Sequence, residues 1–393
     1  MLFSLGLIII LGILLKLSFE KIKLPGLLGM LILGVIIGPY GPLPLIDEGI
    51  LNISSELRKI ALIVILIRAG LGIKKETLKK IGKPAMKMSC IPGLLEGFSI
   101  MFISKYLLGF TFIQGGILGF IVAAVSPAVV VPSMLHFIET GRGKDKEIPS
   151  LILAGASIDD VFAITIFSSF TGLYFGTNSN LALQILGIPV SIILGILSGA
   201  LIGLIVYEIF KKFNLSDVQK ILILFSISLM YNAGEEYLKG IIPIASLLGI
   251  MAIGYVISER DSKFGLEMSL GYNRIWGLAE ILLFVLVGAQ VNIHVAMDSG
   301  MIGILIIAFG LIFRSIGVII SLLGTNLNKH EKLFCVISYI PKATVQAAIG
   351  AVPLTMGVEG GEIILALAVL SIIITAPLGS MGIRIVGEKH LSR

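Results

Sequence analysis

The sequence predicts an all-α polytopic membrane protein. It would have 13 transmembrane helices, an inverted repeat (spans 1–6 and 8–13) and two broken helices that cross. Three observations carry that expectation. The first is composition: of 393 residues 56% are hydrophobic and 14% charged, and the mean hydropathy is +1.04. Soluble domains carry about 25% charged residues, so a soluble core is excluded. The 46 glycines fit the same class, because small residues let membrane helices approach closely. The second is the spacing of apolar runs against basic connections. The third is a pair of proline-interrupted runs in corresponding halves of the chain.

Apolar runs long enough to cross a bilayer need about 20 residues. They fall at 2–17, 24–40, 57–73, 84–108, 114–138, 148–173, 180–208, 218–235, 239–257, 270–293, 299–324, 331–354 and 362–384. The first run lacks a charged n-region and a small-residue cleavage site, so it reads as a span and not as a signal peptide. Lys and Arg placement supports the count. Twenty-three of the 30 lie in the odd-numbered connections or the C-terminus; only Arg58, Lys59, Lys105 and Lys239 lie in even-numbered ones. Arg68, Arg314 and Lys342 fall inside spans. By the positive-inside rule the N-terminus is outside and the C-terminus cytoplasmic, as expected for a multi-pass protein of the cell (inner) membrane. The net charge of +6 is therefore a topology signal, and no nucleic-acid partner is expected.

Connections are short, and no appended soluble domain is expected. No Walker A pattern occurs, so no nucleotide is expected as a partner and any transport would draw on an ion gradient. Cys90 and Cys335 lie in apolar runs and imply no disulfide framework.

The inverted repeat rests on matched segments seven spans apart. Ile65-Leu66-Ile67-Arg68-Ala69-Gly70-Leu71-Gly72-Ile73 on span 3 shares a skeleton with Val285-Leu286-Val287-Gly288-Ala289-Gln290-Val291-Asn292-Ile293 on span 10. Span 5 contains Ser126-Pro127-Ala128-Val129-Val130-Val131-Pro132; span 12 contains Pro341-Lys342-Ala343-Thr344-Val345-Gln346. Proline removes a backbone N–H and clashes with the preceding turn, so both spans should break in mid-membrane. The freed carbonyls near Val129–Val131 can then coordinate a cation. Glu96 and Arg314 sit at matching repeat positions on spans 4 and 11, with opposite charges.

Asp159 and Asp160 lie side by side on span 6, in otherwise lipid-like sequence. A charged carboxylate at the bilayer centre costs about 2.5–3.5 kcal/mol on insertion scales. Such a pair needs a cation, a proton or a basic partner. Adjacent helical residues point about 100° apart, so the two need not face an ion equally, and Asp159 can instead meet a basic group.

At these residues the sequence resembles the cation/proton antiporter superfamily, and within it the NHA-type sodium/proton exchangers. The matching blocks are Ile67–Leu71, Ser126–Pro132, Ser157–Asp160, Leu282–Ala289 and Pro341–Ala348, in the expected order. The resemblance implies a homodimer in a lipid bilayer that exchanges Na⁺ or Li⁺ for H⁺ by alternating access, with no cofactor and no enzyme activity. It implies a dimerisation domain at 1–83 and 218–298, an ion-transporting core at 84–179 and 299–393, and a connector helix at 180–217. Carried over by position, Asp160 is the principal ion-binding carboxylate and Asp159 its neighbour, both as Na⁺ ligands. One departure from the electrogenic bacterial members is that Arg314 stands where they place a lysine.

On this reading a proton and Na⁺ compete for one carboxylate, with the Ser126 hydroxyl as a further ligand. Burial and a like-charged neighbour favour the protonated form of a carboxyl, and a cation the ionised form. Glu96–Arg314 is expected as a supporting ion pair, with Arg314 a partner of Glu96 rather than of the aspartates. Arginine stays protonated even when buried, which favours one proton per Na⁺. Pro127, Val130, Lys342 and Thr344 mark the broken-helix crossing, and Lys342 divides evenly between structural support and ion-site function. Arg68 is expected to snorkel, Glu280 to be interfacial, and Glu235 and Glu236 to lie in a solvated outer loop. His136, His294, His330 and His390 read as single interfacial residues.

Other functions fit less well. K⁺/H⁺ exchange or efflux uses related folds. Organic-anion symport does not call for paired aspartates. A cation channel needs no competing proton site. An intramembrane protease sets its two aspartates on separate helices.

Overall fold

A computed structural model describes residues 1–72, 75–175, 181–238 and 244–392; the side chains of 75–81, Ser157, Val161, Phe175, 181–189 and Glu236 lie outside the description. The topology residues Lys74, Lys75, Lys79, Lys80, Lys239 and Arg393, together with Ser157 and Glu236, therefore fall outside the described side chains.

All regular structure among the described residues is helical. The first half holds α1 (Leu2–Lys21), α2 (Gly26–Ile37), α3 (Glu48–Asn52), α4 (Ser54–Gly72), α5 (Lys75–Met88), α6 (Ile91–Leu107), α7 (Phe112–Val122), α8 (Pro127–Glu139) and α9 (Ile148–Phe175). There follow α10 (Leu181–Lys212), α11 (Asp217–Leu238), α12 (Ser246–Arg260), α13 (Ser262–Ala289), α14 (Ile293–Asp298) and α15 (Gly300–Ser321). The chain ends with α16 (Lys329–Ser338), α17 (Thr344–Ile349), α18 (Val352–Thr355) and α19 (Gly361–His390).

Eight helical stretches among the described residues are long and apolar enough to cross a membrane. Gly26–Ile37 and Thr344–Thr355 are apolar but shorter. Large apolar side chains point outward in rows, as Ile193, Leu197, Leu201 and Ile205 do along α10. A soluble protein rarely exposes such a surface; in a bilayer, lipid covers it. The first run, expected at 2–17, is helical through Lys21.

The chain divides into two compact units. One comprises Glu56–Lys79 and Phe175–Glu280; within it α10 and α11 both pack on α12. Asn232 donates to the Ser246 hydroxyl at 2.8 Å, and Ser246 donates to Glu235. Glu235 is thus helical and bonded, where a solvated loop was expected, because α11 runs through Leu238. Glu280, expected near a span end, stands inside a helix. It is buried, 18 residues into α13, and its charge acts on half-buried Arg68.

The other unit comprises Met1–Ser55, Lys80–Tyr174 and Ile281–Arg393. Here α6 packs against both α7 and α15. The approach of α15 needs a glycine: a Cβ at Gly317 would stand 2.6 Å from the Pro92 Cα. That closeness brings Glu96 of α6 and Arg314 of α15 within reach of each other. At one end of the unit α16 packs on α19, and His330 and His390 stack with ring centroids 4.4 Å apart. These two histidines are paired, contrary to the expectation of single residues, because the start of α16 meets the end of α19.

Two helical runs break. α7 opens with a capping box, in which the Thr111 side chain accepts from the Gln114 N–H and the Gln114 side chain accepts from the Thr111 N–H. It stops at Val122, and Ser126 is extended at φ −89°, ψ 111°. The cause is Pro127, which disfavours helical geometry at the residue before it and then opens α8 at a position needing no N–H. The break therefore lies at 123–126. Val129–Val131 belong to α8, where the freed carbonyls were expected, and Val130 is in its first turn, donating to the Ser126 carbonyl at 3.1 Å. The second break, 339–343, contains Pro341. The two breaks touch: the Ser126 N–H donates to the Pro341 carbonyl at 2.8 Å.

Candidate functional site

α9 carries Asp159 and Asp160 past this contact, and both are buried. Their surroundings differ. Asp159 Oδ2 accepts from the Val125 N–H at 2.8 Å and from Arg314 Nη2 at 2.9 Å. Asp160 accepts no hydrogen bond and forms no ion pair among the described residues, and its Oδ1 is a buried oxygen without a partner. The 100° step between successive helical positions explains how neighbours come to differ so much. The second oxygen of Asp159, Oδ1, also lacks a partner among the described residues. It faces Gly93, where a Cβ would stand 3.1 Å away.

Arg314 is the hub. Its guanidinium is buried; Nη1 donates to Glu96 Oε2 at 2.7 Å and to the Ala123 carbonyl, and Nε donates to the Tyr339 carbonyl at 2.6 Å. The rigid fork of donors in arginine suits several fixed acceptors at once. The expectation that Arg314 serves Glu96 and not the aspartates is therefore corrected: it bridges Glu96 and Asp159. The break at 123–126 explains this, since it brings Asp159, held by Val125, to the same point as the Ala123 carbonyl.

Lys342, fully buried, donates from Nζ to Glu96 Oε2 at 2.6 Å. It makes no ion pair with either aspartate among the described residues. Its backbone N–H donates to Thr375 Oγ1 at 2.8 Å, which holds the second break against α19. Ser126 Oγ lies 3.4 Å from both Thr344 Oγ1 and the Thr344 N–H. No hydrogen bond joins Ser126 to an aspartate among the described residues. Pro127 opens α8 and Thr344 opens α17, so both flank the breaks.

Three residues of this region received no role from the sequence. Gln346 Nε2 lies 3.0, 3.1 and 3.0 Å from the carbonyl oxygens of Ile121, Val122 and Ala124. Tyr339 carries a buried hydroxyl without a partner among the described residues. That hydroxyl fills the space over Gly155, where a Cβ would collide with it. Among their sequence signals, only the glycine one turn before Asp159 was open to reading.

With every group ionised, two cations (Arg314, Lys342) face three carboxylates (Glu96, Asp159, Asp160). Glu96 and Asp159 are each directly paired. The net charge of −1 thus resides on Asp160, and one monovalent cation or one proton neutralises it.

Comparison with known proteins gives a consistent result. The model of the family described as sodium/hydrogen exchanger, transmembrane, matches residues 6–389. Sodium/hydrogen exchanger 9B2 of Mus musculus is 33% identical over 386 residues, covering 94% of this chain and 69% of that protein. Sodium/hydrogen exchanger 9B1 of Homo sapiens is 31% identical over 385 residues, covering 94% and 73%. Among solved structures, the sodium proton antiporter MjNhaP1 from Methanocaldococcus jannaschii at pH 8 shares the fold. Its TM-score is 0.82 at 22% identity, over 96% of this chain and 94% of that one.

Proposed function

From membership of the transmembrane sodium/hydrogen exchanger family, to which this chain belongs, we infer that it exchanges Na⁺ for H⁺ across a membrane. The family is one of transporters and not of enzymes, and the chain is a multi-pass membrane protein. What we propose beyond this is the site and its accounting. Asp160 is the carboxylate that Na⁺, Li⁺ and H⁺ share. Asp159 is its anchored neighbour and offers one further oxygen, Oδ1. Glu96, Arg314 and Lys342 are the fixed frame.

The observation that carries this reading is that, among the described residues, Asp160 alone of the five charged groups has no direct partner. Protonated or Na⁺-loaded, the cluster sums to zero and crosses; empty, it carries −1 and is held back. Exchange of one Na⁺ for one H⁺ follows, with no net charge moved.

The same reading extends to architecture. Thirteen spans in an inverted repeat are supported by the two breaks, which fall on expected spans 5 and 12, and by Glu96 and Arg314 on spans 4 and 11. The basic connections support an N-terminus outside and a C-terminus in the cytoplasm, in a cell membrane. A homodimer with the domain division 1–83 and 218–298 against 84–179 and 299–393 remains part of the proposal.

The test is transport in proteoliposomes with an imposed pH gradient, adding Na⁺, Li⁺ or K⁺ in turn. Asp160→Asn is expected to abolish Na⁺-driven recovery of the pH dye while remaining folded. Full activity in that variant would move the exchange site elsewhere.

A further inference from the structure

The end of α7 is held by a single side-chain amide whose valences do not match its setting. Three carbonyl oxygens, of Ile121, Val122 and Ala124, converge on Gln346 Nε2 at 3.0–3.1 Å. An amide nitrogen has two hydrogens to offer. The intervening carbonyl, of Ala123, already takes Arg314. Meanwhile the amide oxygen, Gln346 Oε1, is buried with no partner among the described residues, on a residue with no exposed surface. The cradle therefore holds more acceptor capacity than the amide can satisfy, and the amide holds an oxygen with nothing to accept from.

Converging uncharged oxygens at the carbonyl end of a half-helix are what a dehydrated monovalent cation takes in place of its water. The cradle lies next to the ion-binding region: the following residue, Val125, donates its N–H to Asp159 at 2.8 Å.

We propose that the carbonyls of Ile121, Val122 and Ala124 form a monovalent-cation subsite beside the Asp159–Arg314 pair, and that the Gln346 amide stands in for the cation there. The subsite supplies neutral oxygens and Asp160 supplies charge. The proposal rests on the Na⁺/H⁺ exchange reading for the identity of the ion.

The test uses the full chain purified in detergent, with its unfolding midpoint measured in sodium chloride and in choline chloride at equal ionic strength. Gln346→Met removes both N–H donors at similar volume. In choline its midpoint is expected to fall by several degrees, and Na⁺ is expected to restore about half or more of that fall. The same restoration is expected in an Asp160→Asn background. A fall that Na⁺ leaves unrestored overturns the proposal and makes Gln346 a helix cap only. Should Gln346→Met not yield folded protein, Gln346→Asn, whose shorter amide cannot span all three carbonyls, is read in the same way. Failure of the Asp160 reading has a different signature, namely exchange retained by Asp160→Asn, and leaves the restoration unaffected.

Discussion

The two helix breaks meet, but they are stabilised in opposite ways. The first, at 123–126, carries no charge of its own. Its exposed carbonyls are met by visitors: Arg314 from α15 at Ala123 and Gln346 from α17 at its neighbours. The second, at 339–343, brings its own cation, Lys342, and spends it on Glu96 of α6. Helix ends leave backbone groups unsatisfied, and in a membrane interior no bulk water takes them. One break is completed from outside and the other contributes outward. The difference shows how Arg314 and Lys342 both come to be committed, which is what the proposed role of Asp160 requires.

The comparison can be broken most severely at Arg314. Arg314→Gln removes the group that serves both breaks and leaves Asp159 a buried charge without its cation. Removing one partner of a buried pair costs about 3–5 kcal/mol. A large fall in the unfolding midpoint of the purified protein is expected, together with loss of exchange. An unchanged midpoint would mean that the first break is held without its visitor.

Lys342→Met should cost less, about 1.5–3 kcal/mol, because Glu96 keeps Arg314 when it loses the lysine. Thermal unfolding of the two variants side by side checks the order. A lysine effect equal to that of the arginine would erase the asymmetry between the breaks.

The smallest effects are expected at the first residue of the second break. Gly155→Ala drives a methyl against the Tyr339 hydroxyl, an overpacking worth about 1–3 kcal/mol. Tyr339→Phe deletes a hydroxyl that has no partner among the described residues, so it should be close to neutral. The double variant should then be more stable than Gly155→Ala alone. Equal stability of the two would show that the hydroxyl does not cause the clash.

How much of this the sequence disclosed depended on the kind of force involved. The aspartates were legible because a carboxylate in lipid-like sequence is costly wherever it points. The breaks were legible from Pro127 and Pro341, although the first lies ahead of its proline and not around Val130. A proline after an irregular residue starts a helix as readily as it interrupts one. The pairing of Glu96 with Arg314 followed from opposite charges at matched positions. Its extension to Asp159 did not, because it depends on where the Ala123 carbonyl turns once α7 has ended. Gln346 was hidden for another reason: a neutral amide costs less to bury than a carboxylate, and any nearby carbonyl can satisfy it. His330 and His390 lie 60 positions apart, and only the packing of α16 on α19 joins them.

Charge accounting around Asp160 is tested most directly by the voltage dependence of exchange. Proteoliposomes with a K⁺ gradient and valinomycin fix the membrane potential while Na⁺-driven proton movement is followed. Moving one net charge across 100 mV is worth about 2.3 kcal/mol, or up to roughly 50-fold in rate. With Arg314 and Lys342 committed to Glu96 and Asp159, the rate is expected to be the same at positive, zero and negative potential. A rate that rises or falls steeply with potential would contradict one-for-one exchange at Asp160.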